Sequence, residues 1–77
     1  MGQLIIHQKD DLLELDGFLL QVGDQVELRL IGVFVPGVID RDQQGWYFLT
    51  KDRAGIRLQT GLIARLISLS PESFHNV

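Results

Sequence analysis

Cysteine is absent from the 77 residues, so neither a disulfide nor a thiolate metal site can hold this chain together. Proline occurs twice, and tryptophan, tyrosine and methionine once each. No apolar run approaches the roughly 20 residues that a membrane-spanning helix needs. Met1 to Asp11 shows no basic start and no small-residue cleavage site, the marks of an export signal. Met1-Gly2 does not continue into a myristoylation motif, because Ile6 stands where Ser or Thr is required. These absences lead us to expect a soluble, cytoplasmic protein with no membrane partner.

Groups for catalysis are equally scarce. Acid–base or nucleophilic chemistry needs several functional groups converging in a pocket. The two histidines, His7 and His75, lie near opposite ends of the chain with no nucleophile beside either. Ser68, Ser70 and Ser73 fall in a terminal segment and read as turn or cap residues. Asp40 and Asp42 flank a hairpin mouth, where carboxylates usually serve the turn. Two histidines and scattered acids lack metal-ligand spacing, and none of the eight glycines builds a phosphate-cradling loop before a helix. The expectation is no enzyme, no cofactor, no metal and no small-molecule substrate.

What the chain does have is 45% hydrophobic residues arranged almost throughout with the period of a β-strand. In Leu13-Glu14-Leu15-Asp16-Gly17-Phe18-Leu19-Leu20, the Asp-Gly pair is the preferred centre of a two-residue type I′ hairpin. Folding there sets Leu15 opposite Phe18 and Leu13 opposite Leu20, with all four on one face. After Gly23-Asp24, the stretch Gln25 to Leu30 alternates, with Val26, Leu28 and Leu30 inward. Asp42-Gln43-Gln44-Gly45 suits a type I turn closed by a left-handed glycine. Short strands follow at Ile56-Arg57-Leu58 and Leu62 to Ile67. Ser70-Pro71-Glu72 has the cap, proline and acid of one helical turn.

The fold class expected is all-β: a small SH3-like barrel of about five strands over residues 23–67, extended by an N-terminal hairpin over 12–21 and a tail over 70–77, in one domain spanning 1–77. A domain this short buries only about 60% of its unfolded surface and is marginally stable alone.

The blocks "LELDGFLL", "GDQVELRLIGVFVPGVI", "GWYFL" and "IRLQTGLIARL" resemble a family of short bacterial proteins, domain of unknown function 5348, over residues 13–66. The resemblance rests on the Leu-Asp-Gly hairpin, Gly23 with Glu27, the Gly32 to Gly37 strand, Gly45-Trp46-Tyr47, and Gly61-Leu62 with Ala64-Arg65. It departs at Phe34, where the family is expected to carry tryptophan. It implies a small β-barrel and brings no activity or site residue with it.

The stretch GVFVPGVIDRDQQGWYFLT, residues 32–50, is apolar in both phases of both its strands. A small barrel has one interior. Val33, Val35, Gly37 and Ile39 suit the crowded inner wall, which leaves Phe34, Pro36 and Val38 outward, and Pro36 belongs at an edge or bulge because it cannot donate to a ladder. On the next strand, Trp46 shares a face with Phe48 and Tyr47 with Leu49, so one phase stays outside. The hairpin, a second copy or another protein, or a stacked base or modified side chain could cover this surface. The candidate interaction surface is therefore Phe34, Pro36 and Val38 with Trp46 and Tyr47, and the expected partner is another protein or the protein itself.

Charge supplies the alternative. Residues 1–40 hold seven acids against two bases, a sum of −5, and residues 41–77 hold five bases against three acids, a sum of +2. Arg41, Arg53, Arg57 and Arg65 lie on or near the strands that carry Trp46 and Tyr47 and are the candidate contacts of a nucleic acid. An acidic domain needs its bases gathered on one face to hold phosphates. Clustering of these arginines beside an exposed aromatic favours nucleic acid, and dispersal favours a protein.

Overall fold

Asp16 and Gly17 both take positive φ, 52° and 83°, the combination a type I′ turn demands. They join strand β2 (Leu12–Leu15) to β3 (Phe18–Leu20) in the register that the alternation predicts, Leu15 opposite Phe18 and Leu13 opposite Leu20. The structure is a computed structural model that describes residues 1–68, so the helical turn expected at Ser70-Pro71-Glu72 lies outside the described residues. Leu13, Leu15 and Leu20 are buried. Phe18, the fourth member of that face, is 56% exposed, because it sits at the hairpin tip on the terminal strand of the sheet.

Residues 2–7, to which the sequence pattern assigns no element, form β1 (Gly2–His7), paired antiparallel with β2 from Leu4–Leu15 to His7–Leu12. Leu4-Ile5-Ile6 hides the alternation, since Ile5 faces outward between a buried Leu4 and a half-buried Ile6. The remaining strands are β4 (Gln25–Leu30), β5 (Val33–Asp42), β6 (Gly45–Thr50), β7 (Gly55–Arg57) and β8 (Ile63–Ser68). The fold is all-β, one antiparallel sheet in the order β3-β2-β1-β8-β4-β5-β6-β7. Among the described residues eight strands stand where about seven were expected, and the extra one matters. β1 pairs with β8 (Gly2–Ala64, Gln3–Ile63), so the hairpin is continuous with the rest of the sheet and is not an appendage laid over it.

The sheet rolls so that one face encloses Leu4, Leu13, Leu28, Ile39 and Phe48, all fully buried. Two sets of bonds hold the roll across the gap between distant strands. The Trp46 indole N–H donates to the Asp11 carbonyl at 3.2 Å, and Arg41 pairs with the Asp11 carboxylate, fastening the β1–β2 turn to β5 and β6. Gly23 N–H donates to Ile39 O at 2.9 Å and Ile39 N–H to Asp24 O at 2.8 Å, fastening the β3–β4 link to β5. The inner wall is tight at Gly37, where a Cβ would lie 2.4 Å from the Phe48 ring and 2.6 Å from the Leu49 carbonyl. That matches the inward phase expected for Gly37 and Ile39. Val33, placed in the same phase, is 59% exposed because it adjoins the turn at Ile31-Gly32. At the other end of β5, Gly45 takes φ 120° and Gln44 N–H donates to Asp42 Oδ1 at 2.8 Å, the turn foreseen there.

Candidate outer-face site on β5 and β6

Phe34, Pro36 and Val38 alternate along β5 with inward Gly37 and Ile39, and therefore project from the outer face of the sheet. Phe34 and Val38 are half-buried and Pro36 is exposed. Pro36 stands opposite Glu27 on β4, while the β5–β6 ladder begins only at Gly37–Thr50. Counting from the hydrogen-bonded Leu30–Val33 pair that closes the two-residue turn, the Glu27–Pro36 pair is a non-bonded one, so the Pro36 nitrogen points away from β4 to the side that β6 does not reach. No ladder bond is lost, which is the edge position the sequence calls for.

The aromatics divide. Trp46 is 6% exposed, with its ring in the core, and so leaves the candidate surface. Its pairing phase with the buried Phe48 is the cause. Tyr47 takes the outer phase, opposite Asp40 on β5 and Arg57 on β7. Its hydroxyl donates to Asp40 Oδ2 at 2.9 Å, and that bond to the carboxylate holds the phenol above its ordinary pKa. Arg57 lies over the Tyr47 ring, 5.5 Å from its centroid, and donates to Asp42 at 2.9 and 3.1 Å and to Gly45 O at 3.0 Å. The bonds from Arg57 hold the Asp42 carboxyl below its usual range, and the same pairing raises Arg57.

The other arginines are also engaged or apart. Arg65 covers the Phe34 ring at 3.9 Å and donates from Nε to Glu27 at 2.6 Å. What covers Phe34 is thus an arginine of β8, and the hairpin has no part in it. Arg41 lies 5.1 Å over the Trp46 ring while paired with Asp11. Arg53 is exposed in the turn before β7 with φ 63°. Two of the bases from the positive half, Arg41 and Arg65, are neutralised by acids of the negative half. Three of the four candidate arginines are thus each held by a carboxylate: Arg41 by Asp11, Arg57 by Asp42 and Arg65 by Glu27. His7, at the far end of the sheet, hydrogen-bonds Glu14 at 2.8 Å on the exposed side of the hairpin.

Between the Arg65–Phe34 and Arg57–Tyr47 stacks, the outer face opens into a cleft of about 230 Å³. Pro36, Val38, Leu49 and Ile67 supply its apolar walls, with Gln25, Thr50 and Lys51 around them. Val38 stands between Gln25 on β4 and Leu49 on β6 by direct register. Two expected residues, Pro36 and Val38, are brought together here. Leu49, Lys51 and Ile67 were not singled out from the sequence. The shared face of Leu49 and Tyr47 was the signal for the first. Ile67 had none, because the register of β8 against β4 shifts between Gln25 and Val26.

A rolled antiparallel sheet with an apolar outer cleft defines a class of small all-β domain, and that class hosts many functions. Within it, the chain belongs to the family described as a domain of unknown function (DUF5348), whose pattern matches residues 2–66 and so takes in β1 as well. No curated protein and no solved structure matches the chain. The described residues contain no helix long and apolar enough to cross a membrane.

Proposed function

We propose that this domain is a non-enzymatic binding module of the cytoplasm that receives a segment of another protein in the outer cleft of β5 and β6. The observation that carries this reading is the apolar wall of Pro36, Val38, Leu49 and Ile67 on a face that the other described residues leave uncovered. Concave apolar sites with a few polar groups at the rim are the usual shape of recognition pockets. Lys51 at the mouth is exposed and favours an acidic residue next to the apolar side chain that enters. Nucleic acid is the weaker reading, since an arginine already paired with a carboxylate has little charge left for a phosphate.

Val38→Glu tests the proposal. A half-exposed outer position should take the charge with a stability change of about 1 kcal/mol or less. Proteins retained from native extract by the wild-type domain should then be lost by the folded variant. A partner held equally well by Val38→Glu and by Leu49→Glu would overturn the assignment of the cleft.

A further inference from the structure

Among the described residues the sheet order ends at β3 and β7, so each has backbone groups on its outer side that no further strand pairs. The two edges are guarded very differently. β7 carries Arg57, and the turn leading into it holds Lys51, Asp52 and Arg53. Such charges deter a further strand. Residues 17–23, which contain β3, hold no charge at all, and Phe18, Leu19 and Val22 are 56%, 53% and 51% exposed. Phe18 and Leu19 lie on opposite faces of the strand, so this edge is apolar above and below.

The backbone narrows the point of contact. Leu15 and Phe18 flank a two-residue turn and form a hydrogen-bonded pair, as does Leu13 with Leu20, so Leu19 between them directs its N–H and C=O away from β2. The next outward groups, on Gln21, are taken: its N–H donates to Asp24 Oδ2 at 2.8 Å and its carbonyl accepts from Asp24 N–H at 3.0 Å.

We propose that β3 is a self-association edge, along which two copies of this chain pair antiparallel about a two-fold axis at Leu19. Charge identifies the occupant as a second copy. The two acids of the β2–β3 hairpin are already engaged within their own chain: Asp16 by the N-terminal amine at 3.6 Å, and Glu14 by a hydrogen bond with His7 at 2.8 Å. A charged partner finds nothing there to recognise, whereas a neutral apolar strand does, and the two-fold supplies one. With Leu19 opposite Leu19, Asp16 of one copy falls beside Val22 of the other and no acid meets an acid. The exposed apolar patch is small against the roughly 800 Å² per partner of a standard interface, so the dimer forms with rising concentration and is not permanent.

Sedimentation of the full chain from about 10 μM to 1 mM, a range that brackets weak association, should show the mass doubling and then stopping. Hydrogen exchange should show protection of the Leu19 amide rising over the same range. Leu19→Lys, which installs the kind of guard natural edges carry, should stay monomeric, while Val38→Glu should dimerise like the wild type, separating this edge from the cleft. A wild-type monomer throughout, growth past the dimer, or dimerisation of Leu19→Lys would each overturn the proposal. Should Leu19→Lys not fold, exchange in the wild type decides, and an unprotected Leu19 amide at the highest concentration overturns it.

Discussion

Tyr47 shows how much one side chain can connect. Its ring carries Arg57, its hydroxyl holds Asp40, and Arg57 in turn holds Asp42, so a row of four groups crosses three strands on the outer face. Two of its groups, Tyr47 and Asp42, respond at opposite ends of the pH scale. The Tyr47 pKa is raised above 10.0 by the bond to Asp40, so the folded state favours the neutral phenol; that contribution is complete below about pH 10 and is lost as pH climbs through the raised value. The Asp42 pKa is lowered from 3.8 by Arg57, so its contribution is present above that value and is lost as pH falls through the lowered one. The melting-temperature gap between wild type and Tyr47→Phe should therefore be constant from neutral pH to pH 9 and shrink above pH 10. The gap to Asp42→Asn should close only below about pH 4. Equal gaps at every pH would mean that neither bond stabilises the fold. From the sequence, Tyr47 could be placed on a face but not in this row, because Arg57 comes from a three-residue strand whose register only the folded sheet defines.

Among the elements, two hairpins built on the same turn geometry differed in how plainly they could be read. Asp16-Gly17 announced itself because residue preference, hydrophobic alternation and turn length agreed. Ile31-Gly32 did not, although Leu30 faces Val33 across it and both residues take positive φ, 46° and 79°. A β-branched residue is the last choice for that conformation, and Ile31 is fully exposed, so no packing offsets the strain. Ile31→Asn should stabilise the domain by about 1 kcal/mol, since asparagine tolerates the left-handed region and suits the first position of a type I′ turn. Thermal unfolding checks it, and a lowered melting temperature would show that Ile31 makes a contact that matters. β1 escaped notice for the opposite reason. Three successive apolar residues carry no alternation, and its place between β2 and β8 depends on a partner far along the chain.

At the level of the whole molecule, the sign difference between the two halves reads as internal neutralisation. Arg41 reaches back to Asp11 and Arg65 to Glu27, so two of the five bases in the positive half are held by acids of the negative half. A fluorescence titration with short single-stranded DNA or RNA at about 50 mM salt should accordingly stay flat. Saturable binding that weakens steeply with added salt would restore the nucleic-acid reading. The outer strip was legible in Phe34, Pro36 and Val38 because two strands were apolar in both phases around a single interior. The cleft was not, since it is assembled across a register shift that no local pattern encodes. The same long-range assembly sets the order of events in folding. The strands from β4 to β7 close through short turns and can form early. The β1–β8 ladder needs a loop spanning nearly the whole domain to close first, which puts it late and the overall rate in the millisecond-to-second range of high-contact-order β proteins. Until that ladder forms, β1 and β8 each have a bare edge, so the interval before it closes is when the chain is most open to pairing with the wrong neighbour.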